Sequence, residues 1–363
     1  MILKIFKTIS LTVIFFQLTA NSALAKDFKI IDDNILQIDS NKKNDKIVTK
    51  DDKISNQNKS PSFSNFKGFS TAITLEKARG FSQENVYVNN KKISELNWKF
   101  RDVKMVRLNF GLDIDEFFSI NTSYATSFDN SSKSYMTDYD WMGNPGGDDG
   151  NQNHNDWTHY SYSSTTTKIQ EFDINSLTKF FKHFGLSLGY REHRFNFNDS
   201  LQKINYSCTQ ASFNNNECNP IAFRNIFQNY NGINAINYYQ QFRIPYIGAN
   251  FSYRLLNNKL KFNIYTAYSN LVNAYSRDHH VLRSLEITSE FKNGKYYNFG
   301  TNIGYLIYKN LSLNLGFDYF EIPEIRGNSV YNYYNNNNLF GNANGAGISN
   351  KTQRLSLGLK YDF

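Results

Sequence analysis

Only two cysteines and five prolines occur in 363 residues. The cysteines, Cys208 and Cys218, share one polar stretch. In an oxidising, exported setting they could close a loop, although sequence alone does not show that their Cβ atoms meet. A structural staple is favoured over a redox or metal role. Beyond the N-terminal segment there is no run of the roughly 18 apolar residues that a membrane helix needs. Neither the G-x-S-x-G nucleophile elbow nor the H-E-x-x-H zinc pattern occurs. Mean hydropathy is −0.57. That value does not exclude a membrane β-barrel, whose strands carry their lipid face in alternate positions.

Residues 1–25 read as a secretory signal peptide. Lys4 and Lys7 supply the positive start, Ile9 to Ala20 a short apolar core, and Ala23-Leu24-Ala25 the small-residue cleavage pattern. Residues 26–67 are rich in Asp, Lys, Asn and Ser and read as a disordered arm. The net charge of +8 is spread along the chain, and export argues against nucleic acid as a partner. Aromatics are abundant, with Tyr 25 and Phe 31, which suits aromatic girdles between polar turns.

Over residues 68–363 the chain alternates with period two. Phe184, Leu186, Leu188 and Tyr190 are interleaved with Gly185, Ser187 and Gly189. Leu311, Leu313, Leu315 and Phe317 follow the same rule, as do Leu355, Leu357, Leu359, Tyr361 and Phe363. One face is apolar and one polar. Short turns near Asp115-Glu116, Lys182-His183, Asn257-Asn258 and Lys309-Asn310 alternate with long polar stretches near 132–165, 201–232 and 327–348. The pattern predicts an all-β fold, a ten-stranded antiparallel up-and-down transmembrane β-barrel in the outer membrane. The sheet must close because hydrocarbon offers no water to an open edge.

Two polar couples stand out. Asp138-Tyr139-Asp140-Trp141-Met142 lies at the base of a long loop, and Asp278-His279-His280 at the end of the seventh strand. Residues two apart point the same way in extended chain, so Asp138 faces with Asp140 and Asp278 with His280. Either couple alone is more readily a solvated surface pair than a site. The acidic stretch from Asp148 to Asp156 lacks the spacing of an EF-hand, and His154 and His159 with Asp156 match no standard zinc spacing. No metal and no cofactor are therefore expected.

Together, Asp-x-Asp-Trp-Met and a distant Asp-x-His resemble the omptins, barrel endopeptidases of Gram-negative outer membranes. Ser94–Phe100, Gly189–Arg194, Phe242–Gly248, Asn344–Ile348 and Gly358–Tyr361 resemble omptin segments and come in the family's order. The resemblance implies a protease with no covalent nucleophile. Asp278 would orient His280, His280 would take a proton from water, and Asp138 would hold that water from the opposite side. Asp140 would tune Asp138 or help stabilise the tetrahedral intermediate.

The same resemblance implies cleavage beside basic residues, with Glu84 as one acid of the first subsite and Ser276 where the family has a second acid. It also implies dependence on lipopolysaccharide, bound through Tyr190, Glu192 and Arg194, with Gln241 in place of an expected Arg and Arg243 in partial compensation. Peptide or protein substrates at the cell surface, a site facing outward and a monomer are the further expectations. The rival from another class is a non-catalytic surface barrel acting as an adhesin or invasin. A small porin is disfavoured, since ten strands leave a lumen filled by side chains.

One detail conflicts with regular alternation. Leu260, Phe262 and Ile264 put the lipid face of the seventh strand at even numbers, which would aim Asp278 and His280 outward. A β-bulge between Ser269 and Ser276 would reverse the phase.

Overall fold

A computed structural model describes residues 67–128, 133–141, 157–206, 227–334 and 338–363. The signal segment, the arm to residue 66, Met142 with the insertion after it, and both cysteines lie outside the described residues. The strands are β1 (Gly68–Val88), β2 (Lys91–Asp113), β3 (Phe118–Ser127), β4 (Ser134–Asp140), β5 (His159–Phe181) and β6 (Phe184–Tyr206). They continue as β7 (Gln228–Ile233), β8 (Ile236–Leu255), β9 (Leu260–His280), β10 (Leu285–Tyr308), β11 (Leu311–Tyr333) and β12 (Asn338–Asp362).

The twelve strands occupy ten lanes. β3 and β4 both lie between β2 and β5, one below the other, and β7 and β8 both pair with β6. Every pairing is antiparallel, and β1 with β12 closes the ring from Ser70↔Asp362 to Val86↔Ala346. The expected ten-stranded up-and-down barrel is therefore present, with two lanes interrupted.

The four short turns fall where the sequence placed them. Asp115 Oδ1 accepts the backbone N–H groups of Phe117 and Phe118 at 2.7 Å each, closing the β2–β3 turn. Asn257 and Asn258 take the left-handed conformation between β8 and β9. The expected long loop near 327–348 is a correction: Ser329↔Asn342 to Tyr333↔Asn338 are paired, so β11 and β12 run on as a protruding hairpin. The long stretches near 132–165 and 201–232 are likewise partly strand. Above the bilayer no lipid demands an apolar face, so an Asn-rich strand there loses the alternation that marks one below.

Most lanes are 20–25 residues long, against about 10 for a strand that only crosses a bilayer. An exposed apolar band encircles the end with the short turns. Leu188, Ile247, Tyr268 and Tyr297 line up across β6, β8, β9 and β10. Leu315, Leu357 and Leu75 do so across β11, β12 and β1.

Inside that half runs an ionic network. Arg107 meets Glu76 at 2.6 Å and Glu171 at 2.5 Å, Arg191 meets Asp173 at 2.5 Å, and Arg354 joins Glu171 to Asp318. A polar cavity of about 500 Å³ lies among these groups. Above it the lumen is filled by aromatics. Trp98 of β2 stacks on Tyr238 of β8 at 5.3 Å and on Phe197 of β6 at 5.2 Å, with Phe100, Phe195 and Phe242 buried around them. β2 and β8 are not neighbours in the ring, so this stack spans the interior and forms a floor for whatever lies above.

Candidate active site

β4 alternates without a break: Ser134, Met136, Asp138 and Asp140 are all buried. Met136 is opposite Trp98 of the floor, so Asp138 and Asp140 stand successively above it on the inner face. Asp138 lies between Leu96 of β2 and Ser161 of β5, and Asp140 between Ser94 and His159. Ser94 Oγ is 3.4 Å from Asp138 Oδ1. His159 Nδ1 is 2.6 Å from Asp140 Oδ2, and the Asp140 carbonyl accepts both N–H and Oγ1–H of Thr158, at 2.7 and 3.0 Å.

The second couple reaches the inner face through the expected bulge. On β9, Ala267 and Ser269 are buried, Asn270 and Leu271 are both exposed, and Val272, Ala274, Ser276 and Asp278 are buried. The register with β8 agrees: between Tyr268 and Asn273, β9 advances five residues while β8 advances four. β10 keeps step with β9 from Tyr268↔Tyr297 to Ala274↔Phe291 through irregularities of its own on either side of Gly294. Leu271 N–H is tied to Ser269 Oγ at 3.1 Å. Beyond this bulge His280 Nε2 lies 2.7 Å from Asp278 Oδ2, with Asp278 only 2% exposed. Asp199 braces the neighbouring lane: one of its oxygens accepts the N–H groups of Ala235 and Ile236 at 2.7 and 2.8 Å, and Ile236 is the partner of His280.

The two walls act on each other electrostatically. These groups lie at the rim, beyond the apolar band. Burial, and then the negative charge of Asp140, push the Asp138 carboxyl up to about 7. The charge of Asp278 adds to the rise, while His159 and Arg283 of the β9–β10 turn oppose it. Glu84 of β1 is pushed well up by burial and by the charges of both Asp278 and Asp138. Glu84 Oε2 is buried without a hydrogen-bond partner. Gln240 Nε2 donates to the Gln83 carbonyl at 3.3 Å and is the lateral neighbour of Ser276, which brings β1 and β8 together across the lumen. Thus Asp138, Asp140, Asp278, His280, Glu84 and Ser276 all belong to the upper, inward half of the barrel.

Sequence reasoning missed His159 as a partner of Asp140. A signal existed: His159 is in phase with Ile169, Glu171 and Asp173, the inner face of β5. Asp138, Asp140 and His159 are also the one described group of three metal-capable side chains with donor atoms within 4.8 Å of one another. Two ligands on one zinc ion would sit roughly 3.3 Å apart, given bonds of about 2.0–2.1 Å in tetrahedral geometry. The 2.6 Å His159–Asp140 contact is a hydrogen bond instead.

On the outer face, Tyr190, Glu192, Arg194 and Arg243 form one network. Tyr190 Oη donates to Glu192 at 3.3 Å, Arg194 pairs with Glu192, and Gln241 Nε2 donates to Glu192 at 2.9 Å. Arg243 donates to Gln241 at 3.3 Å.

Comparison with known proteins fits this geometry. A family profile described as "Omptin family" matches residues 65–363. The chain belongs to the omptin family. Protease 7 of Escherichia coli K12 is 30% identical over 303 residues, 80% of this chain and 89% of that protein. The plasminogen activator of Yersinia pestis is 28% identical over 304 residues, 81% and 89% of the two chains. The crystal structure of outer membrane protease OmpT from Escherichia coli superposes with a TM-score of 0.71 at 27% identity, covering 82% of this chain and 98% of that one. As an omptin, the protein is an outer-membrane β-barrel protease.

Proposed function

We propose that this omptin is an aspartic-type endopeptidase of the cell surface that hydrolyses peptide bonds next to basic residues, using water activated between the Asp278–His280 pair and the Asp138–Asp140 pair. The observation that carries the reading is the convergence at one rim of an Asp278–His280 dyad, 2.7 Å apart, with a carboxylate pair whose member Asp138 feels the charge of Asp278.

In the proposed reaction Asp278 holds the imidazole through Nε2 and leaves Nδ1 to take a proton from water. The water oxygen attacks the peptide carbonyl carbon. Asp138, at the far end of that water and protonated, gives its proton to the carbonyl oxygen as charge develops there. Collapse of the tetrahedral intermediate returns that proton to Asp138, breaks the C–N bond and passes the His280 proton to the leaving amine. Asp140, beside Asp138 on the inner face of β4, opposes the ionisation of Asp138 by its negative charge. No protein atom becomes covalently attached.

The preference for a basic side chain rests on Glu84, whose buried, unpartnered oxygen is restored to charge by an arriving cation. Ser276 supplies a hydroxyl and no second charge. The outer network of Tyr190, Glu192, Arg194 and Arg243 offers Arg side chains to lipid phosphate, and lipopolysaccharide bound there holds the rim in its active form. The signal segment directs export, the rim faces outward, and the barrel works as a monomer without a metal or organic cofactor.

The test is the purified barrel with lipopolysaccharide on a fluorogenic peptide containing adjacent basic residues. Cleavage beside the basic pair is expected. A folded barrel that leaves the peptide intact while binding host cells would favour the adhesin or invasin alternative.

A further inference from the structure

The proposed reaction leaves one buried imidazole at the rim without a task. His159 opens β5, is 4% exposed and is the lateral partner of Asp140. Together with Thr158 it holds Asp140 twice, by side chain at 2.6 Å and by backbone carbonyl at 2.7 and 3.0 Å. Among the described residues the Asp138 carboxylate has Ser94 Oγ at the longer distance of 3.4 Å. The two carboxylates differ little in exposure, 8% and 6%, so burial does not decide between them. The donor does: a hydrogen bond to a carboxylate favours its ionised form.

We propose that His159 is a positioning residue, whose Nδ1–H donated to Asp140 Oδ2 holds Asp140 as the ionised member of the pair and leaves the shared proton on Asp138. This rests on the proposed function above. The site then consists of two Asp–His couples of unlike duty. In Asp278–His280 the imidazole moves a proton, whereas in Asp140–His159 the imidazole fixes where a proton stays.

The charges that face Asp138 come from every wall. Asp140 belongs to its own strand, His159 to β5, Asp278 to β9, Arg283 to the turn after β9, and Glu84 to β1. Asp140 and Asp278 favour the protonated form of Asp138, and Arg283 and His159 the ionised form; Glu84, itself pushed well up, adds its charge only when a cation arrives. The raised position of the Asp138 carboxyl, to about 7, agrees with burial and Asp140 prevailing.

The experiment compares the parent with His159→Ala and His159→Asn, each in lipopolysaccharide micelles, by kcat/KM against pH on the dibasic fluorogenic peptide. Asn can place Nδ2 near the position of the imidazole Nδ1. Loss of the donor makes the Asp138–Asp140 pair hold its last proton more tightly. His159→Ala should therefore move the alkaline limb of the profile upward by about one to two pH units, the worth of a hydrogen bond to a charged group. It should also lower the neutral-pH rate by about 10- to 100-fold. His159→Asn should bring the limb back toward the parent.

A His159→Ala profile that superimposes on the parent after a single scale factor overturns the proposal. A profile displaced in both variants alike overturns it too. If His159→Ala does not fold, the carboxylic-acid infrared band of the site decides. Titration of that band to higher pH in His159→Ser, whose hydroxyl is too short to reach Asp140, supports the assignment, and a band that titrates with the parent overturns it. The parent reading fails separately, when His280→Ala and Asp138→Asn both remain fully active.

Discussion

Asn270 and Leu271 are neighbours in β9, and both face outward. One residue too many for regular alternation turns the inner face of this strand from odd to even numbers. Without it Asp278 would face away from the lumen, and His280 with it. Deleting Leu271 should therefore abolish peptide cleavage, since Val272 through His280 change sides. A cysteine at position 276 checks the cause. In the intact chain Ser276 is 1% exposed, so the thiol should resist a bulky water-soluble maleimide. In the deletion it should react.

Glu84 should govern specificity. Glu84→Gln keeps shape and removes charge, so a guanidinium or ammonium entering the rim finds no counter-charge. A loss of about 100-fold in kcat/KM for a peptide with Arg at the cleaved bond is expected, corresponding to roughly 3 kcal/mol for one side of a buried ion pair. A peptide with an uncharged residue there should lose little. Replacing Ser276 by Asp should shift the preference further toward basic residues.

The pH dependence follows from Asp138. Its carboxyl is raised to about 7, so the protonated form the reaction uses is depleted as pH rises through that value. kcat/KM should fall on the alkaline side, with a limb near pH 7. Stability should follow the same sign. A carboxyl whose folded pKa lies above the unfolded value of 3.8 favours the folded state at low pH, and that contribution is lost as pH rises toward 7. Asp138→Asn, which never ionises, should therefore be more heat-resistant than the parent at pH 8, with the gap closing toward pH 4. Heat-dependent gel mobility of the barrel measures it.

On the outer face, Arg194→Ala should raise the lipopolysaccharide concentration needed for half-maximal activity by about tenfold, as one charge-assisted contact to phosphate is worth roughly 1.5 kcal/mol. KM for the peptide at saturating lipid should stay the same. Titration of lipid against activity separates the two.

The sequence showed the membrane half of the barrel most clearly, because lipid imposes a strict rule. Leu186 and Leu188 must face out and Ser187 must face in, and their alternation states as much. It showed less above the bilayer. Residues 327–333 and 338–348 pair as strand, yet water on the outside tolerates Asn328 and Asn332 as readily as an apolar side chain, so the period-two signal fades. The candidate site was legible through Asp138, Asp140, Asp278 and His280 because each couple is a local skip pattern. His159 was not, since its tie to Asp140 joins two strands 19 residues apart and depends on a register that no short motif encodes. The bulge was legible only through a contradiction, the parity of Phe262 set against that of Asp278.

The most direct test is single-variant kinetics on His280→Ala, with the refolded barrel verified by its gel mobility and supplied with lipopolysaccharide. Removal of the general base should lower kcat by about 10³- to 10⁴-fold while KM for the dibasic peptide stays within about twofold, because the imidazole acts on water rather than on the bound side chain. A folded His280→Ala barrel that cleaves at a tenth of the parent rate or faster would contradict the assignment of the Asp278–His280 pair as the proton-moving half of the site.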